Sequence, residues 1–257
     1  MKSPLTRANS AYWTKRSKSY AKQHFDELTH LNSKEWDNYL TKALKKADIP
    51  LKKAVDIGTG PGFLAILLAQ KGLAVDAIDM NEAMLNEASR NARKLEVELT
   101  TKQMNALDLE YEDESVDVVV SRNLTWNLED PRAAYKEWLR ILRPGGLLIN
   151  VDANWYNYLF DKEAKAAYEQ DRKVVEEEGV YDFYIHTDVS DMESIARHLP
   201  LSAHKRPHWD FTILKDLLPS SSHLTVTKNI NQAVLTKEQQ LNFNATPLFA
   251  IIARKGY

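Results

Sequence analysis

The sequence of 257 residues contains no cysteine and only 8 glycines. The absence of cysteine excludes disulfides, thiolate metal sites and a cysteine nucleophile. An excess of charge of one sign is also missing, because 34 Lys and Arg residues stand against 36 Asp and Glu, for a formal net charge of −2. No overall electrostatic field recruits nucleic acid or an anionic membrane. We therefore expect neither as a partner.

Long apolar runs are lacking as well. The longest, from Phe63 to Ala69, is far too short to span a bilayer. The first 20 residues contain no apolar stretch of the kind found in signal peptides. Apolar residues make up 44% of the chain and charged residues 27%, which is typical of a globular protein. We expect a cytoplasmic protein, and the sequence leaves its oligomeric state open.

The order of predicted elements indicates an α/β fold. From residue 52 onward, short apolar strands alternate with helices, as in a mostly parallel sheet covered on both faces. Helices are predicted at 62–71, 81–94 and 131–142. The seven predicted strands are 53–57, 73–78, 97–101, 115–121, 146–151, 222–229 and 246–254. Only a loop is expected between the last two strands, which suggests a terminal antiparallel hairpin at the sheet edge.

Two stretches lie outside this alternation. Residues 1–48 are predicted to form an N-terminal helical cover. Residues 49–257 are predicted to form the main domain, in which 152–221 are inserted after the fifth strand as a cap over the substrate. The cap contains four of the seven histidines.

The stretch "VDIGTGPGFLAILLAQ", residues 55–70, is a strand, a glycine turn and a helix. A phosphate-binding P-loop requires Lys and Ser or Thr after its last glycine, where this chain has Phe63 and Leu64. A dinucleotide-binding turn requires its third glycine one position later than Gly62. Pro61 also removes a backbone donor that a pyrophosphate would use. The turn therefore favours a ligand without phosphate.

Two carboxylates accompany this turn. Asp56 precedes the glycines, and Asp79 ends the next strand. A carboxylate at Asp79 can accept hydrogen bonds from both hydroxyls of a ribose, and Asp56 can accept from a ligand ammonium, directly or through water. A small ligand with a ribose and an amino-acid end, but no phosphate, is S-adenosylmethionine.

Four segments of the chain resemble successive motifs of class I S-adenosylmethionine-dependent methyltransferases. They are "VDIGTGPG", "AIDMNEAML", "MNALDLEYEDESVDVVVSRNL" and "EWLRILRPGGLLI". The resemblance covers residues 52–152 and is greatest to the small-molecule type 11 group, which includes quinone methyltransferases. It implies a Rossmann-like sheet of seven strands, S-adenosylmethionine as cofactor, and methyl transfer to a small molecule by in-line displacement.

The predicted cofactor-binding residues come from these motifs and from the aromatic N-terminal segment. Asp79 would hold the ribose, Met80 would pack on the adenine, and Asn105 would meet the adenine edge, where the family more often has aspartate. The N-terminal segment, with Tyr12 and Trp13, is predicted to fold over the cofactor as a lid. The full predicted set is Tyr20, Asp56, Gly58, Gly60, Asp79, Met80, Asn105, Ala106 and Arg122.

The acceptor site is predicted from residues that follow strand ends or lie in the cap. The set is Asn123, Trp126, Tyr156, His208 and Trp209, with His208 as the candidate catalytic base. No metal is expected, because no pattern of metal-ligand spacing occurs. Two alternative functions stay open from the residues alone. One is an NAD(P)-dependent oxidoreductase, and the other is a non-catalytic protein that binds S-adenosylmethionine.

Overall fold

A single sheet lies at the centre of the computed structural model, which describes residues 3–185 and 187–257. In these residues the strands are β1 (Lys53–Ile57), β2 (Ala74–Asp79), β3 (Thr100–Gln103), β4 (Val116–Arg122), β5 (Leu142–Asp152), β6 (His223–Thr227) and β7 (Phe249–Arg254). Their order is β3-β2-β1-β4-β5-β7-β6. The first five strands pair in parallel, and β7 pairs antiparallel with both β5 and β6. The predicted seven-stranded, mostly parallel sheet with a terminal antiparallel hairpin is confirmed.

Helices cover both faces and one edge of this sheet. They are α1 (Pro4–Asp26), α2 (Ser33–Leu44), α3 (Phe63–Gln70), α4 (Glu82–Lys94), α5 (Pro131–Ile141), α6 (Lys162–Glu178), α7 (Val189–Ala196), α8 (His208–Leu217), α9 (Asn231–Val234) and α10 (Lys237–Asn242). Short 3₁₀ turns occur at Thr125–Asn127, Asn157–Leu159 and Pro200–Ala203, and a π-helical turn, Glu27–Leu31, follows α1.

Side chains of the central strands alternate between two apolar cores, as expected for strands buried on both faces. In β4, Val118 and Val120 belong to the core that includes residues of α2 and α3. Val119 belongs to the core on the opposite face, with Trp138 of α5 and Leu214 of α8. This alternation fixes which strand residues point to which layer.

Helix α1 lies across the carboxyl edge of the sheet. It begins at Pro4, a residue suited to a first helical position, and Ser3 Oγ accepts from the N–H of Thr6 at 2.9 Å. Farther along, Asn81 Nδ2 donates to the carbonyl of Ser10 at 3.0 Å. The N-terminal segment is thus attached to the sheet at the end of β2.

The connection between β6 and β7 differs from the prediction of a plain loop. It contains α9 and α10, and the second of these begins with a capping box. Thr236 Oγ1 accepts from the N–H of Gln239 at 3.2 Å, and Gln239 Oε1 accepts from the N–H of Thr236 at 3.0 Å. Reciprocal capping of this kind stabilises a short helix in a polar sequence, which apolar periodicity alone does not indicate.

The predicted domain boundaries remain a prediction. Positions 1 and 2 of the expected cover, and position 186 of the expected cap, lie outside the described residues. Of the segment 152–221, α8 packs in the sheet core through Leu214 and so covers the sheet. Among the residues that the structure describes, no helix is both long enough and apolar enough to cross a membrane.

Candidate active site

The glycine turn places backbone close to neighbouring side chains. Gly58 and Gly60 have φ values of 65° and 52°, in the left-handed region that glycine adopts easily. A Cβ at Gly58 would lie 2.6 Å from Leu124 Cδ2. The N–H of Gly60 donates to Asp79 Oδ2 at 3.0 Å. The turn therefore depends on these glycines and is bonded to the end of β2.

Asp79 is held by two backbone donors. Besides Gly60, the N–H of Asn81 donates to Asp79 Oδ1 at 2.8 Å. Burial raises the pKa of Asp79 to about 6, and the backbone N–H groups act in the opposite direction by stabilising the carboxylate. The carboxyl group is consequently fixed in orientation and titrates near neutral pH.

Asp56 is almost fully buried, with 1% of its surface exposed. Its Oδ2 accepts from Thr59 Oγ1 at 2.7 Å and from the N–H of Ala65 at 3.0 Å. Burial raises its pKa to about 7, against the effect of these two hydrogen bonds. Asp56 thus joins the glycine turn to α3, a structural role that the sequence did not predict.

A cavity of about 710 Å³ opens at this edge of the sheet. Its volume lies in the range of roughly 300–1,000 Å³ that is common for small-molecule sites. All of the predicted cofactor-binding residues line it, from Tyr20 of α1 to Arg122 at the end of β4. The structure brings them together at the carboxyl ends of parallel strands, where open α/β sheets bind ligands.

A second cavity, of about 120 Å³, adjoins the first. Its wall is mainly aromatic, and Asn123, Trp126 and Tyr156 of the predicted acceptor set are part of it. The aromatic lining residues are Tyr12, Trp13, Tyr20, Trp126, Trp155, Tyr156, Phe183, Tyr184 and Phe243. We name this space the aromatic cavity and the larger one the cofactor cavity. Five residues line both: Trp13, Tyr20, His24, Arg122 and Asn123.

Asn123 and Trp126 form a rigid part of the shared wall. Trp126 Nε1 donates to the carbonyl of Asn123 at 3.0 Å, and Trp155 Nε1 lies 3.3 Å from Asn123 Oδ1. The ring of Tyr156 lies 5.2 Å from that of Trp126, centroid to centroid. Two indoles and a phenol are thereby held around one amide.

A buried cluster of charged residues, Asp152, Arg206 and Asp210, is hydrogen-bonded to the backbone of Trp126. Asp152 Oδ2 accepts from the N–H of Trp126 at 3.0 Å and from Arg206 Nη1 at 2.8 Å. Arg206 Nη2 also donates to Asp210 Oδ1 at 2.6 Å, and Asp210 accepts from the hydroxyl of Tyr135 at 2.7 Å. The charged groups of Asp152, Arg206 and Asp210 are fully buried and paired, as buried charges must be.

This cluster separates His208 and Trp209 from both cavities. Because Asp210 points inward to Arg206, the first turn of α8 directs Trp209 toward the sheet core, with its ring 6.3 Å from that of Tyr135. His208 is exposed. Neither residue lines the cofactor cavity or the aromatic cavity. The structure does not bring His208 and Trp209 together with the rest of the predicted acceptor set.

The sequence reasoning missed His24, whose imidazole lies between the two cavities. It is 5% exposed, and its ring centroid lies 4.1 Å from that of Tyr20. Trp13, Tyr20, His24 and Glu27 follow one another at spacings of seven, four and three residues, which places them on one side of a helix. This helical spacing could have identified His24 from the sequence.

Comparison with known proteins agrees with this geometry. A family model of the methyltransferase domain matches residues 55–150, from the glycine turn through most of β5. Residues 55–150 are a class I S-adenosylmethionine-dependent methyltransferase domain. The predicted family is confirmed, and the predicted glycine turn and Asp79 lie inside the matched methyltransferase domain.

Two curated relatives of the methyltransferase domain share one name. The ubiquinone biosynthesis O-methyltransferase of Alkalilimnicola ehrlichii is 33% identical over 112 residues, or 42% of this chain and 45% of that protein. The enzyme of the same name from Pseudomonas syringae pv. tomato is 32% identical over 119 residues, or 45% and 51%. The chain thus spans about half the length of the curated relatives that it matches.

Solved structures share the fold over most of the chain. Geranyl diphosphate C-methyltransferase from Streptomyces coelicolor, solved with S-adenosyl-L-homocysteine, has a TM-score of 0.55 at 15% identity, covering 87% of this chain and 79% of its own. A SAM-dependent methyltransferase from Aquifex aeolicus has a TM-score of 0.53 at 16% identity, covering 91% and 96%. At these identities the similarity establishes the fold.

S-adenosylmethionine fits the residues of the cofactor cavity. The hydroxyl groups of its ribose can donate hydrogen bonds to the carboxyl group of Asp79, whose orientation is fixed. The carboxylate of the cofactor matches two buried donors, Trp13 Nε1 and Arg122 Nε, which have no hydrogen-bond partner among the described residues. Buried donors without partners are rare and point to a missing ligand group.

Proposed function

We propose that this protein transfers a methyl group from S-adenosylmethionine to a small-molecule acceptor. The observation that carries the proposal is the pair of adjoining cavities, one lined by the residues of the methyltransferase motifs and the other by aromatic side chains. When bound, the cofactor supplies a methyl group on a positively charged sulfur.

In this proposal the cofactor cavity fixes the donor. Asp79 accepts from the ribose hydroxyls, Met80 packs on the adenine, and Asn105 and Ala106 contact its edge. The backbone of Gly58 and Gly60 lies along the amino-acid part. These assignments combine the predicted roles with the fact that each residue lines the cavity.

The aromatic cavity binds the acceptor. Asn123, Trp126 and Tyr156 keep their predicted roles, while His208 and Trp209 are replaced by aromatic residues of α1 and of the segment after β5. The chain contributes mainly by holding the acceptor beside the donor and by excluding water, since both raise the rate of a displacement reaction. A face of aromatic rings also stabilises a nearby cation.

Neither alternative function is supported by the site. An oxidoreductase would need room for a second nucleotide, whereas the adjoining space is small and aromatic. A non-catalytic binding protein would have no use for an acceptor cavity that shares five lining residues with the cofactor cavity.

Calorimetric titration tests the proposal. S-adenosylhomocysteine should bind with a stoichiometry of one, and NADH should not bind. Asp79→Ala should weaken S-adenosylhomocysteine binding by ~1.5–3 kcal/mol, the scale of hydrogen bonds to a charged group. Asp113→Ala, which removes an exposed carboxylate paired with Arg140, is the matched control and should bind like the wild type. Equal affinities for both variants would refute the cofactor site.

A further inference from the structure

His24 occupies the boundary between the two cavities. Its side chain lines both of them, and 5% of its surface is exposed. Nδ1 of the imidazole is buried and has no hydrogen-bond partner among the described residues. A buried ring nitrogen without a partner loses the hydrogen bond that water would provide. Its position at a cavity wall indicates that a ligand supplies the missing partner.

The imidazole is held in place by other rings. Its centroid lies 4.1 Å from that of Tyr20 and 5.5 Å from that of Phe63. Burial lowers the pKa of His24 well below its usual range, and the positive charges of Arg122 and Arg16 lower it further. The ring is consequently neutral at physiological pH, and one of its nitrogens carries a lone pair that accepts a hydrogen bond.

The size of the aromatic cavity limits the acceptor to a small molecule. Its volume of about 120 Å³ is close to that of an apolar cavity that holds one benzene ring, roughly 150 Å³. Its rings offer flat faces, against which an aromatic ligand stacks favourably. Trp126 and Tyr156, with centroids 5.2 Å apart, form one such wall.

We propose that His24 binds the methyl acceptor by accepting a hydrogen bond from the nucleophilic O–H or N–H group of a small aromatic ring in the aromatic cavity. This assignment rests on the proposed methyltransferase function. Because the hydrogen of the nucleophile is directed at His24, a lone pair of the same atom is directed away from the imidazole, toward the neighbouring cofactor cavity. His24 thus selects acceptors that carry a hydrogen on the attacking atom.

The test compares probe ligands on protein saturated with S-adenosylhomocysteine. Phenol donates a hydrogen bond, and anisole has the same ring without the donor. We expect the wild type to bind phenol about fivefold more tightly than anisole, because one neutral hydrogen bond contributes about that much. Affinities are measured by ligand-observed NMR titration.

Variants at position 24 assign the preference to the imidazole. His24→Phe and His24→Leu remove the acceptor, and each should bring the phenol-to-anisole ratio to about one. His24→Asn, whose amide oxygen takes the place of Nδ1, should restore part of the ratio. Affinity for S-adenosylhomocysteine, measured on each variant, shows whether the cofactor cavity is intact.

Two results would overturn the role of His24: an unchanged phenol-to-anisole ratio in a folded His24→Phe or His24→Leu variant, or no binding of phenol to the wild type. In each of these cases intact binding of S-adenosylhomocysteine would leave the proposed function standing. Loss of that binding in the wild type would refute the proposed function itself.

Discussion

Arg122 and Glu27 form a bidentate ion pair under the end of α1, with Nη1 2.9 Å from Oε2 and Nη2 3.2 Å from Oε1. Both side chains are nearly buried, 9% and 3% exposed. Gln239 Nε2 donates to the same carboxylate at 2.9 Å. The pair joins β4 of the methyltransferase domain to the N-terminal segment and to α10, at the wall of the aromatic cavity.

Breaking this pair should destabilise the whole protein. Glu27→Gln leaves the buried guanidinium of Arg122 without a counter-charge, and we expect a loss of about 3–5 kcal/mol in the free energy of unfolding. Urea denaturation measures it. Asp216→Asn, which breaks an exposed pair with Arg132, is the control and should cost less than about 1 kcal/mol. Similar losses in both variants would show that burial of the Arg122–Glu27 pair carries no special cost.

Cofactor affinity should depend on pH through Asp79. Burial raises the pKa of this carboxyl to about 6, and ribose hydroxyls donate best to its ionised form. Binding therefore favours loss of the proton, so the affinity for S-adenosylhomocysteine should rise as the pH increases from about 5 to about 7. Calorimetry across this range measures the effect.

The Asp79→Asn variant provides the control for this pH dependence. It should bind S-adenosylhomocysteine more weakly and show a flatter profile than the wild type. Asp56, whose pKa is raised to about 7 by burial, is present in both proteins and accounts for any remaining slope. A wild-type affinity that stays constant between pH 5 and pH 7 would contradict the role of Asp79.

We expect Trp209 to contribute to the stability of the fold and not to ligand binding. Its half-buried ring packs against the sheet core near Tyr135, so Trp209→Ala should lower the free energy of unfolding by about 2 kcal/mol, less than the roughly 3–5 kcal/mol of a fully buried tryptophan. Affinity for S-adenosylhomocysteine should differ from that of the wild type by less than about twofold, which corresponds to ~0.4 kcal/mol. The neighbouring, exposed His208→Ala should change neither quantity. A selective loss of ligand binding in either variant would return these residues to the site.

The predicted function of α1 as a lid can be tested by removing the hydroxyl group of Thr14. Thr14 Oγ1 accepts from Asn81 Nδ2 at 2.9 Å, which ties α1 to the start of α4. Thr14→Val removes this bond, worth about 1 kcal/mol, and should make S-adenosylhomocysteine dissociate about fivefold faster in stopped-flow fluorescence.

A threonine variant on another helix is the control for the Thr14→Val experiment. Thr14 and Thr212 both donate to the carbonyl four residues earlier, at 2.8 and 3.0 Å, but Thr212 lies on α8. Thr212→Val should leave the dissociation rate unchanged. If Thr14→Val also leaves it unchanged, the contact between α1 and Asn81 does not retain the cofactor.

The sequence by itself determined the sheet and the cofactor half of the site. Strand periodicity is local, because alternate residues of one strand face opposite layers. The positions of the glycine turn and of Asp79 can also be predicted from the sequence. Both follow strands, and the carboxyl ends of neighbouring parallel strands meet at one edge of the sheet. For the same reason the predicted cofactor residues that lie in or directly after β1 to β4, Asp56 and Arg122 included, surround one cavity, whereas Tyr20 reaches it from α1.

Only the tertiary structure decided the aromatic cavity, which we propose as the acceptor site. His24, Phe183 and Phe243 lie far apart in the chain, and their meeting in one wall depends on how α1 and α10 pack, which local propensity does not specify. The placement of the motif "RPHWD" outside both cavities was also decided by the tertiary structure. The buried pairing of Arg206 with Asp210 sets the rotation of α8, because an unpaired buried charge costs more than any alternative orientation of His208 and Trp209 could recover.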